Sequence, residues 1–360
     1  MKLLYASHID YGWIKQRPQF LAEKLSDSCE IVYLYKRTLG KKYNNNSSET
    51  SFLLIPVIQL PLTRFSIVRK INQKLYCLSV KRTLKSKKCD VLWTSDYELS
   101  QISNINIPVI YEMMDIYSEM TNNAKLKNHI LKSEKIMFDS AASIVVSSEY
   151  IKGYIIKKYG VNEERIHLIR NGFSSDKDII IDNNNASHGR IIKLAYFGTV
   201  ASWFDWETIK FSLKENNDIE YHIIGPTPEG VPENIGDKVF FYGAVKHDEL
   251  YSLIKDCDAL IMPFIVNEII KGVDPVKLYE YIYFKKNIIC VKYQEIIRFE
   301  KFVYFYNNKE EYIEAINEVK KGKLKYNEKD AMSFLSDNTW DNRAKVALQI
   351  CEAVIHHNKE

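Results

Sequence analysis

The sequence lacks the long apolar run that a membrane-spanning helix requires. None of its 360 residues falls in a window that approaches ~18 uninterrupted apolar positions. The apolar stretch at the N-terminus is also too short for a signal peptide. These two absences predict a cytoplasmic protein.

Cysteine is scarce and scattered along the chain. The six cysteines lie far apart and form no CxxC pair, which argues against a structural zinc site and a disulfide framework. No strand candidate ends in an Asp-x-Asp motif, and no other cluster of metal ligands appears. We therefore expect neither a metal nor another cofactor.

Charge of one sign is not in excess. The chain has 50 Lys and Arg against 46 Asp and Glu, a formal net charge of +4, whereas a dedicated nucleic-acid binder is usually far more basic. A GxGxxG motif is also missing, since Gly12 stands alone after the first strand candidate. The sequence therefore disfavours an NAD-type dehydrogenase and predicts no nucleic-acid partner.

What is present is an alternation of short apolar runs with longer amphipathic segments, the pattern of parallel sheets wrapped by helices. It stops at the polar, Asn-rich segment Phe173–Gly189 and restarts at Lys193. We predict an α/β chain with two Rossmann-like, doubly wound domains that face a cleft. The predicted boundaries are 1–175 and 176–338, with a terminal helix over 339–360 that returns to the first domain.

The loop after the first strand candidate is polar and leads into a helix. It contains Asp10, Trp13 and Arg17. Helix N-terminal amides suit an anion such as a diphosphate, so these residues are candidates for the cleft and for acceptor binding. The alternative is a polar loop that only precedes a helix begun by Pro18.

Two carboxylates stand where a buried strand candidate of the first half ends. Glu112 and Asp115 could serve in acid–base chemistry or in stabilising a transition state, and Asp115 is the favoured residue. The alternative makes Asp115 a helix N-cap and Glu112 a surface residue.

In the second half, Gly198 and Thr199 follow a strand candidate, and an aromatic run leads from them to Asp205. Gly198 permits a close backbone approach and Thr199 offers a hydroxyl, so the group is a candidate for donor binding. The aromatic residues could instead form a satellite core.

The segment Asp274–Tyr281 is the most informative. Pro275 suits the first turn of a helix, which places Lys277 in that turn and Glu280 three residues later on the same face. A cation near a helix N-terminus can hold a diphosphate, and a carboxylate one turn on can accept the hydroxyls of a ribose. The alternative is an exposed ion pair of little energetic value.

Together these motifs resemble those of GT-B glycosyltransferases, most closely the family 4 type that builds bacterial surface polysaccharides. The resemblance rests on these segments: WIKQRPQFLAEKL (Trp13–Leu25), VVSSEYI (Val145–Ile151), RIHLIRNGF (Arg165–Phe173), YFGTVASWFDWE (Tyr196–Glu207), DPVKLYEYIYFKKNIICV (Asp274–Val291) and NTWDNRA (Asn338–Ala344). It implies a nucleotide-sugar donor on the C-terminal domain, an acceptor on the N-terminal domain, and retention of anomeric configuration.

The resemblance also implies residue roles. It places Glu280 on the donor ribose, the backbone near Gly198 and Thr199 around the diphosphate, and Lys277 beside the same charge. Pro275 and Tyr279 of that helical motif, with Asp205, complete the predicted donor site. Apart from the resemblance, we hypothesise that Asp115 is catalytic, either by positioning the acceptor hydroxyl or by stabilising a cationic sugar.

Two departures from the family pattern bear on these roles. The family's first glutamate of a pair is here Gly272, and Glu268 is the nearest upstream carboxylate. The usual basic pair after the first strand of the second domain is absent from GTVASWFDWE. Neutralising the phosphates would then rest on Lys277, helix amides and Arg17.

The stretch Arg64–Lys88 contains nine Lys or Arg, no Asp or Glu, and interleaved apolar residues. Such a helix can lie on an anionic membrane leaflet, which would suit an acceptor carried on a polyprenyl diphosphate. It can equally be a helix whose apolar side packs on the sheet. A sugar-nucleotide epimerase of the same fold and a non-catalytic nucleotide-sugar-binding subunit remain alternatives to a transferase.

Overall fold

The computed structural model describes residues 1–40, 50–102, 105–174, 191–227 and 230–358, without the side chains of residues 247 and 248. The described chain divides into two compact units. The first contains Met1–Gly172 and Trp340–Glu360, and the second contains Phe173–Thr339. Most of the predicted linker, residues 175–189, lies outside the described residues, as does the predicted boundary at 175 and 176.

The first unit is built on a seven-stranded sheet in which every pair of neighbouring strands is parallel. The strand order is β3-β2-β1-β4-β5-β6-β7. The strands are β1 (Lys2–Ser7), β2 (Glu30–Thr38), β3 (Leu53–Gln59), β4 (Val91–Thr94), β5 (Val109–Met113), β6 (Ser143–Val146) and β7 (Ile166–Leu168).

Helices cover both faces of this sheet. They are α1 (Arg17–Leu25), α2 (Ser66–Lys87), α3 (Ala124–Ser140), α4 (Glu149–Tyr159) and α11 (Trp340–His357). One core cluster joins the sheet to α2, α3 and α4, and the other joins the opposite face to α1 and α11. Burial on both faces explains why β1, β4 and β6 read as nearly continuous apolar runs.

The second unit repeats this plan with a six-stranded parallel sheet of order β10-β9-β8-β11-β12-β13. Its strands are β8 (Ile192–Phe197), β9 (Ile219–Ile224), β10 (Val239–Gly243), β11 (Ala259–Met262), β12 (Asn287–Val291) and β13 (Val303–Tyr306). Its helices are α5 (Trp206–Glu215), α6 (His247–Ile254), α7 (Glu268–Lys271), α8 (Val276–Tyr283), α9 (Lys309–Lys320) and α10 (Glu328–Asp337).

The C-terminal helix belongs to the first unit. The Trp340 ring stacks on Phe20 of α1, with ring centroids 5.2 Å apart and planes 4° from parallel. Gly172 allows the backbone at Trp340 to pass close by, because a Cβ at Gly172 would lie 2.7 Å from the backbone nitrogen of Trp340. The chain thus leaves the first unit after Gly172 and re-enters it at Trp340.

The α/β architecture predicted for each half is confirmed, with two strands added at sheet edges, β3 and β13. Neither strand is predicted from the sequence, and neither are the helices α7 and α10. None of the helices in the described ranges is both long enough and apolar enough to cross a bilayer.

Candidate functional site

Two glycine loops meet at the carboxyl edge of the second sheet. Because all its strands are parallel, their carboxyl ends lie along one edge, where ligands of open α/β sheets bind. Strand β8 is followed there by Gly198, and β9 is followed by Gly225. The Gly198 amide donates to the Ile224 carbonyl at 2.8 Å, so the two loops are joined through their backbones.

Both glycines are required by close contacts. Gly198 has φ +133° and Gly225 has φ +139°, a region that L side chains rarely adopt. A Cβ at Gly225 would lie 2.2 Å from the Gly198 carbonyl oxygen. A side chain at position 225 would therefore clash with the backbone of the loop after β8.

The side chain of Lys277 lies directly against Gly198. A Cβ at Gly198 would be 2.2 Å from Lys277 Cε and 2.8 Å from its Nζ. The same ammonium lies 5.9 Å from the ring centroid of Tyr196, whose hydroxyl donates to the Thr199 carbonyl at 3.0 Å. Lys277, Gly198 and Thr199, all predicted as donor-binding residues, are thus brought together.

The electrostatic setting of Lys277 is unusual. Burial lowers the pKa of its ammonium, and the nearby Glu280 carboxylate opposes that shift. Within the described part of the chain, no carboxylate comes within ion-pair distance of Lys277. A partly buried ammonium without a close counter-ion is suited to binding an anion.

Helix α8 carries Lys277 at its second position and Glu280 at its fifth, so both side chains lie on one face near the helix N-terminus. The sequence predicts Pro275 in the first turn of this helix. In the structure Pro275 is the N-cap residue, and Val276 is the first helical residue. The start of the helix is held by Arg298, which forms an ion pair with the buried Asp274 and donates to the Tyr279 hydroxyl at 3.0 Å.

Two other predicted donor-binding residues, Tyr279 and Asp205, make packing and capping contacts. Tyr279 is fully buried and stacks against Phe334 in the core, so its side chain has no surface with which to contact a donor. Asp205 caps α5, accepting from the Glu207 and Thr208 amides at 3.1 Å and from the Thr208 hydroxyl at 2.6 Å. Its carboxylate oxygens are occupied by these bonds.

Glu268 and Gly272, which concern the family's paired-glutamate motif, lie at the short helix α7. Glu268 is its first residue and forms an exposed ion pair with Lys271, 2.7 Å apart. Gly272 is the residue that follows the helix. Glu268 therefore lies on the surface and engages a neighbour on its own helix.

In the first unit, the loop after β1 is stabilised by Asp10. Its carboxylate accepts two bonds from Arg37, at 3.1 and 3.2 Å, and one from the Gly12 amide at 2.9 Å. Asp10 is therefore a buried residue that shapes the loop, whereas Trp13 is 47% exposed. Of these two predicted acceptor residues, Trp13 has the surface that a ligand could contact.

Arg17, the first residue of α1, forms a buried ion pair with Glu112. The Arg17 Nε donates to Glu112 Oε1 at 2.8 Å, and its Nη1 donates to the Asn171 side-chain oxygen at 3.2 Å. Glu112 Oε2 accepts from the Tyr5 hydroxyl at 2.7 Å and from the Trp93 indole at 3.0 Å. The alternative that placed Glu112 on the surface is wrong, because its side chain is completely buried.

Asp115 lies just beyond β5 and is partly exposed. Burial raises the pKa of its carboxyl to about 6, and the nearby Arg17 guanidinium opposes the shift. It is not a helix N-cap, since Ile116 precedes the short 3-10 turn Tyr117–Glu119. A carboxyl group with a raised pKa at a strand end is a candidate for chemistry.

No group of three or more His, Cys, Asp or Glu side chains in the described ranges is arranged to hold a metal ion. The six cysteines are free thiols.

Solved structures of similar fold cover nearly the whole chain. Sucrose-phosphate synthase from Thermosynechococcus elongatus is 12% identical with a TM-score of 0.75, covering 99% of each chain. The lipopolysaccharide outer core galactosyltransferase WaaB is 13% identical with a TM-score of 0.66, covering 97% of this chain and 99% of WaaB. Residues 210–333 match the family described as "Glycosyl transferases group 1".

The chain has the GT-B fold, and its residues 210–333 are similar to the group 1 glycosyl transferases. The matched segment includes Lys277 and Glu280, while Gly198 and Thr199 precede it.

Two further similar proteins are a relative from Bacillus subtilis and a structure solved with a nucleotide sugar. A Bacillus subtilis (strain 168) protein named as a teichuronic acid biosynthesis glycosyltransferase, TuaH, is 23% identical over 216 residues. That match covers 55% of this chain and only 54% of TuaH, about half the relative's length. Anabaena HepE, solved in complex with UDP-glucose, is 12% identical with a TM-score of 0.68, covering 98% of this chain and all of HepE.

Sequence reasoning missed the parts of these sites that hold other residues in place. Glu112 binds donors that lie 95, 107 and 19 residues away in the chain, so no local pattern could identify them. Arg298 is likewise 24 residues from Asp274. The only local signal for Glu112 was a carboxylate within an apolar strand.

Proposed function

We propose that the chain is a glycosyltransferase that moves a sugar from a nucleotide-sugar donor to a glycan or a lipid-linked saccharide during surface polysaccharide synthesis. The observation that carries the proposal is the Lys277 ammonium, which lies against Gly198 at the carboxyl edge of the second sheet. TuaH is named for teichuronic acid biosynthesis and HepE was solved with UDP-glucose. The TuaH name supports a role in polysaccharide synthesis, and the HepE complex supports a nucleotide-sugar donor.

In this proposal the diphosphate of the donor binds at Gly198 and Lys277. An anion there would offset the burial that lowers the pKa of Lys277. The N-terminal amides of α8 add a favourable dipole at the same end of the helix. Glu280, one turn further on the same face, accepts hydrogen bonds from the donor ribose.

The transfer breaks the bond between the anomeric carbon and the phosphate oxygen, and forms a bond from that carbon to an acceptor oxygen. The acceptor hydroxyl gives its proton to the phosphate oxygen that leaves, and the nucleoside diphosphate departs. Lys277 and the helix dipole would stabilise the charge on the leaving diphosphate. We propose a retaining, metal-independent reaction in which Asp115 positions the acceptor hydroxyl or stabilises a cationic sugar.

The acceptor side of the proposal belongs to the first unit. Trp13 offers an exposed ring that can pack on a saccharide, and Arg17 retains one buried nitrogen, Nη2, without a hydrogen-bond partner in the described part of the chain. We propose that the enzyme works in the cytoplasm at the inner face of the cell membrane, where lipid-linked acceptors lie.

A thermal-shift screen of UDP, GDP, ADP and dTDP sugars tests the donor assignment. A donor at 100 times its Kd should stabilise the protein by about 2.7 kcal/mol, and the Lys277→Met variant should lose that stabilisation. Stabilisation by none of them would contradict the proposal. An epimerised donor in the absence of acceptor would favour an epimerase, and binding without turnover on any lipid-linked acceptor would favour a non-catalytic subunit.

A further inference from the structure

Helix α2 has two apolar sides, and only one of them is covered. Tyr76, Val80 and Leu84 are buried in the core of the first unit. On the opposite side Ile67, Ile71, Leu75 and Leu78 are exposed by 67, 43, 43 and 53%. Their spacing of four, four and three residues places them in one stripe along the helix. The apolar residues of this segment therefore do not all pack on the sheet.

The stripe continues into the loop that precedes the helix. Leu60, Leu62 and Phe65 are exposed by 38, 59 and 49%. With Ile58 and the helical stripe, eight of the 23 exposed large hydrophobic residues in the described chain fall within 21 consecutive positions. Exposed apolar residues are normal when scattered, whereas a contiguous patch marks a surface that binds something.

The loop is held in this arrangement by specific bonds. The Asn72 side chain accepts from the Leu60 amide at 2.8 Å and donates to the Leu60 carbonyl at 2.9 Å. Arg69 Nη1 donates to the carbonyls of Thr63 and Arg64, at 3.0 and 3.3 Å. Leu62 has φ +64°, a left-handed conformation that is costly for a leucine. The fold thus maintains a strained backbone that leaves a leucine exposed.

Positive charge borders the same surface. Lys70, Lys74, Arg82 and Lys85 are exposed on α2, and the helical period places them beside the apolar stripe. The stretch Arg64–Lys88 holds nine of the chain's 50 basic residues and none of its 46 acidic ones. The remaining chain therefore has 41 basic and 46 acidic residues, so an anionic surface would attract this face and repel the rest.

We infer that the outer side of α2 and the loop before it form a docking surface for an anionic membrane leaflet. We call this surface the α2 face: the exposed apolar residues from Leu60 to Leu78 and the exposed basic residues on α2. Its combination of inserted apolar side chains with flanking lysines matches the interface between lipid headgroups and acyl chains. The inference deepens the proposed placement at the membrane and does not depend on donor binding.

The test is binding of the full chain to sedimented vesicles, either phosphatidylcholine alone or an equal mixture with phosphatidylglycerol. The wild type should bind the anionic vesicles and release them as salt is raised. A triple variant, Lys70→Gln, Lys74→Gln and Lys85→Gln, should bind about a hundredfold more weakly, since each basic residue contributes about fivefold. The matched control changes three exposed lysines of α3 and α4 to glutamine: Lys125, Lys132 and Lys157.

A second variant, Ile67→Ser with Ile71→Ser and Leu78→Ser, tests the apolar part. These side chains are exposed, so unfolding in urea should stay close to wild type while vesicle binding falls at least tenfold. The control is Ile136→Ser, an exposed isoleucine on α3. Equal binding by wild type and both variants would overturn the inference, as would wild-type binding to RNA or an acidic protein but not to vesicles.

The two proposals fail separately in this design. Nucleotide-sugar stabilisation should be unchanged in both α2-face variants, because the predicted donor residues lie in the second unit. Vesicle binding without stabilisation by any nucleotide sugar would remove the proposed function and leave the α2 face supported. Donor stabilisation without vesicle binding would do the reverse.

Discussion

The Gly198→Ala substitution tests how closely donor binding depends on the position of Lys277. The new Cβ would lie 2.2 Å from Lys277 Cε, whereas ordinary contact begins at 3.4 Å. The lysine must therefore move by at least about 1.2 Å. A displacement of ~1 Å at a binding group can cost about 10²-fold in rate, so we expect a loss of that order in kcat/KM and a clear loss of donor affinity.

The same substitution also strains the backbone. Gly198 has φ +133°, and an L residue held in such a region costs roughly 1–3 kcal/mol. The matched control is Gly236→Ala, at φ +98° with no atom within 4 Å of the new Cβ. Urea unfolding should show a similar loss of stability in both variants, while a nucleotide-sugar titration should show lost affinity only in Gly198→Ala. Wild-type donor affinity in Gly198→Ala would refute the reasoning.

Three further predictions follow from the charged groups. Lys277→Met should stabilise the ligand-free protein at neutral pH, as measured by urea unfolding. Burying the charged ammonium destabilises the folded state at any pH below its lowered folded pKa, and this destabilisation disappears as the pH rises toward 10.5. Glu112→Ala should cost about 3–5 kcal/mol of stability by leaving Arg17 buried without its partner, against less than about 1 kcal/mol for the exposed Asp139→Ala. Asp115→Asn should lower kcat at unchanged donor affinity and remove a decline in kcat/KM below about pH 6, read from pH–rate profiles.

The central elements of each sheet were predictable because burial on both faces demands apolar residues. The two missed strands lie at sheet edges, where that demand is weaker. Strand β3 buries only Val57 and Gln59 and contains Pro56, which an edge strand tolerates. Strand β13 is only four residues long. Local sequence carries little signal for such strands.

The candidate site divides in the same way. Lys277 and Glu280 were predictable because a helix places them three residues apart on one face. The Glu112 network and the clamp of Arg298 on Asp274 were not, because their partners come from distant parts of the chain. For Arg64–Lys88 the sequence left two interpretations open, since apolar residues occur on both sides of the helix. The exposed fractions of Ile67 and Leu78 show that not every apolar residue of the segment packs on the sheet.

A structure of the protein with the nucleotide sugar that stabilises it most is the direct test of the central claim. We expect phosphate oxygens within hydrogen-bond distance of Lys277 Nζ beside the Gly198 backbone, with the ribose hydroxyls on the Glu280 carboxylate. A donor bound elsewhere, with the Lys277 ammonium facing solvent, would contradict it.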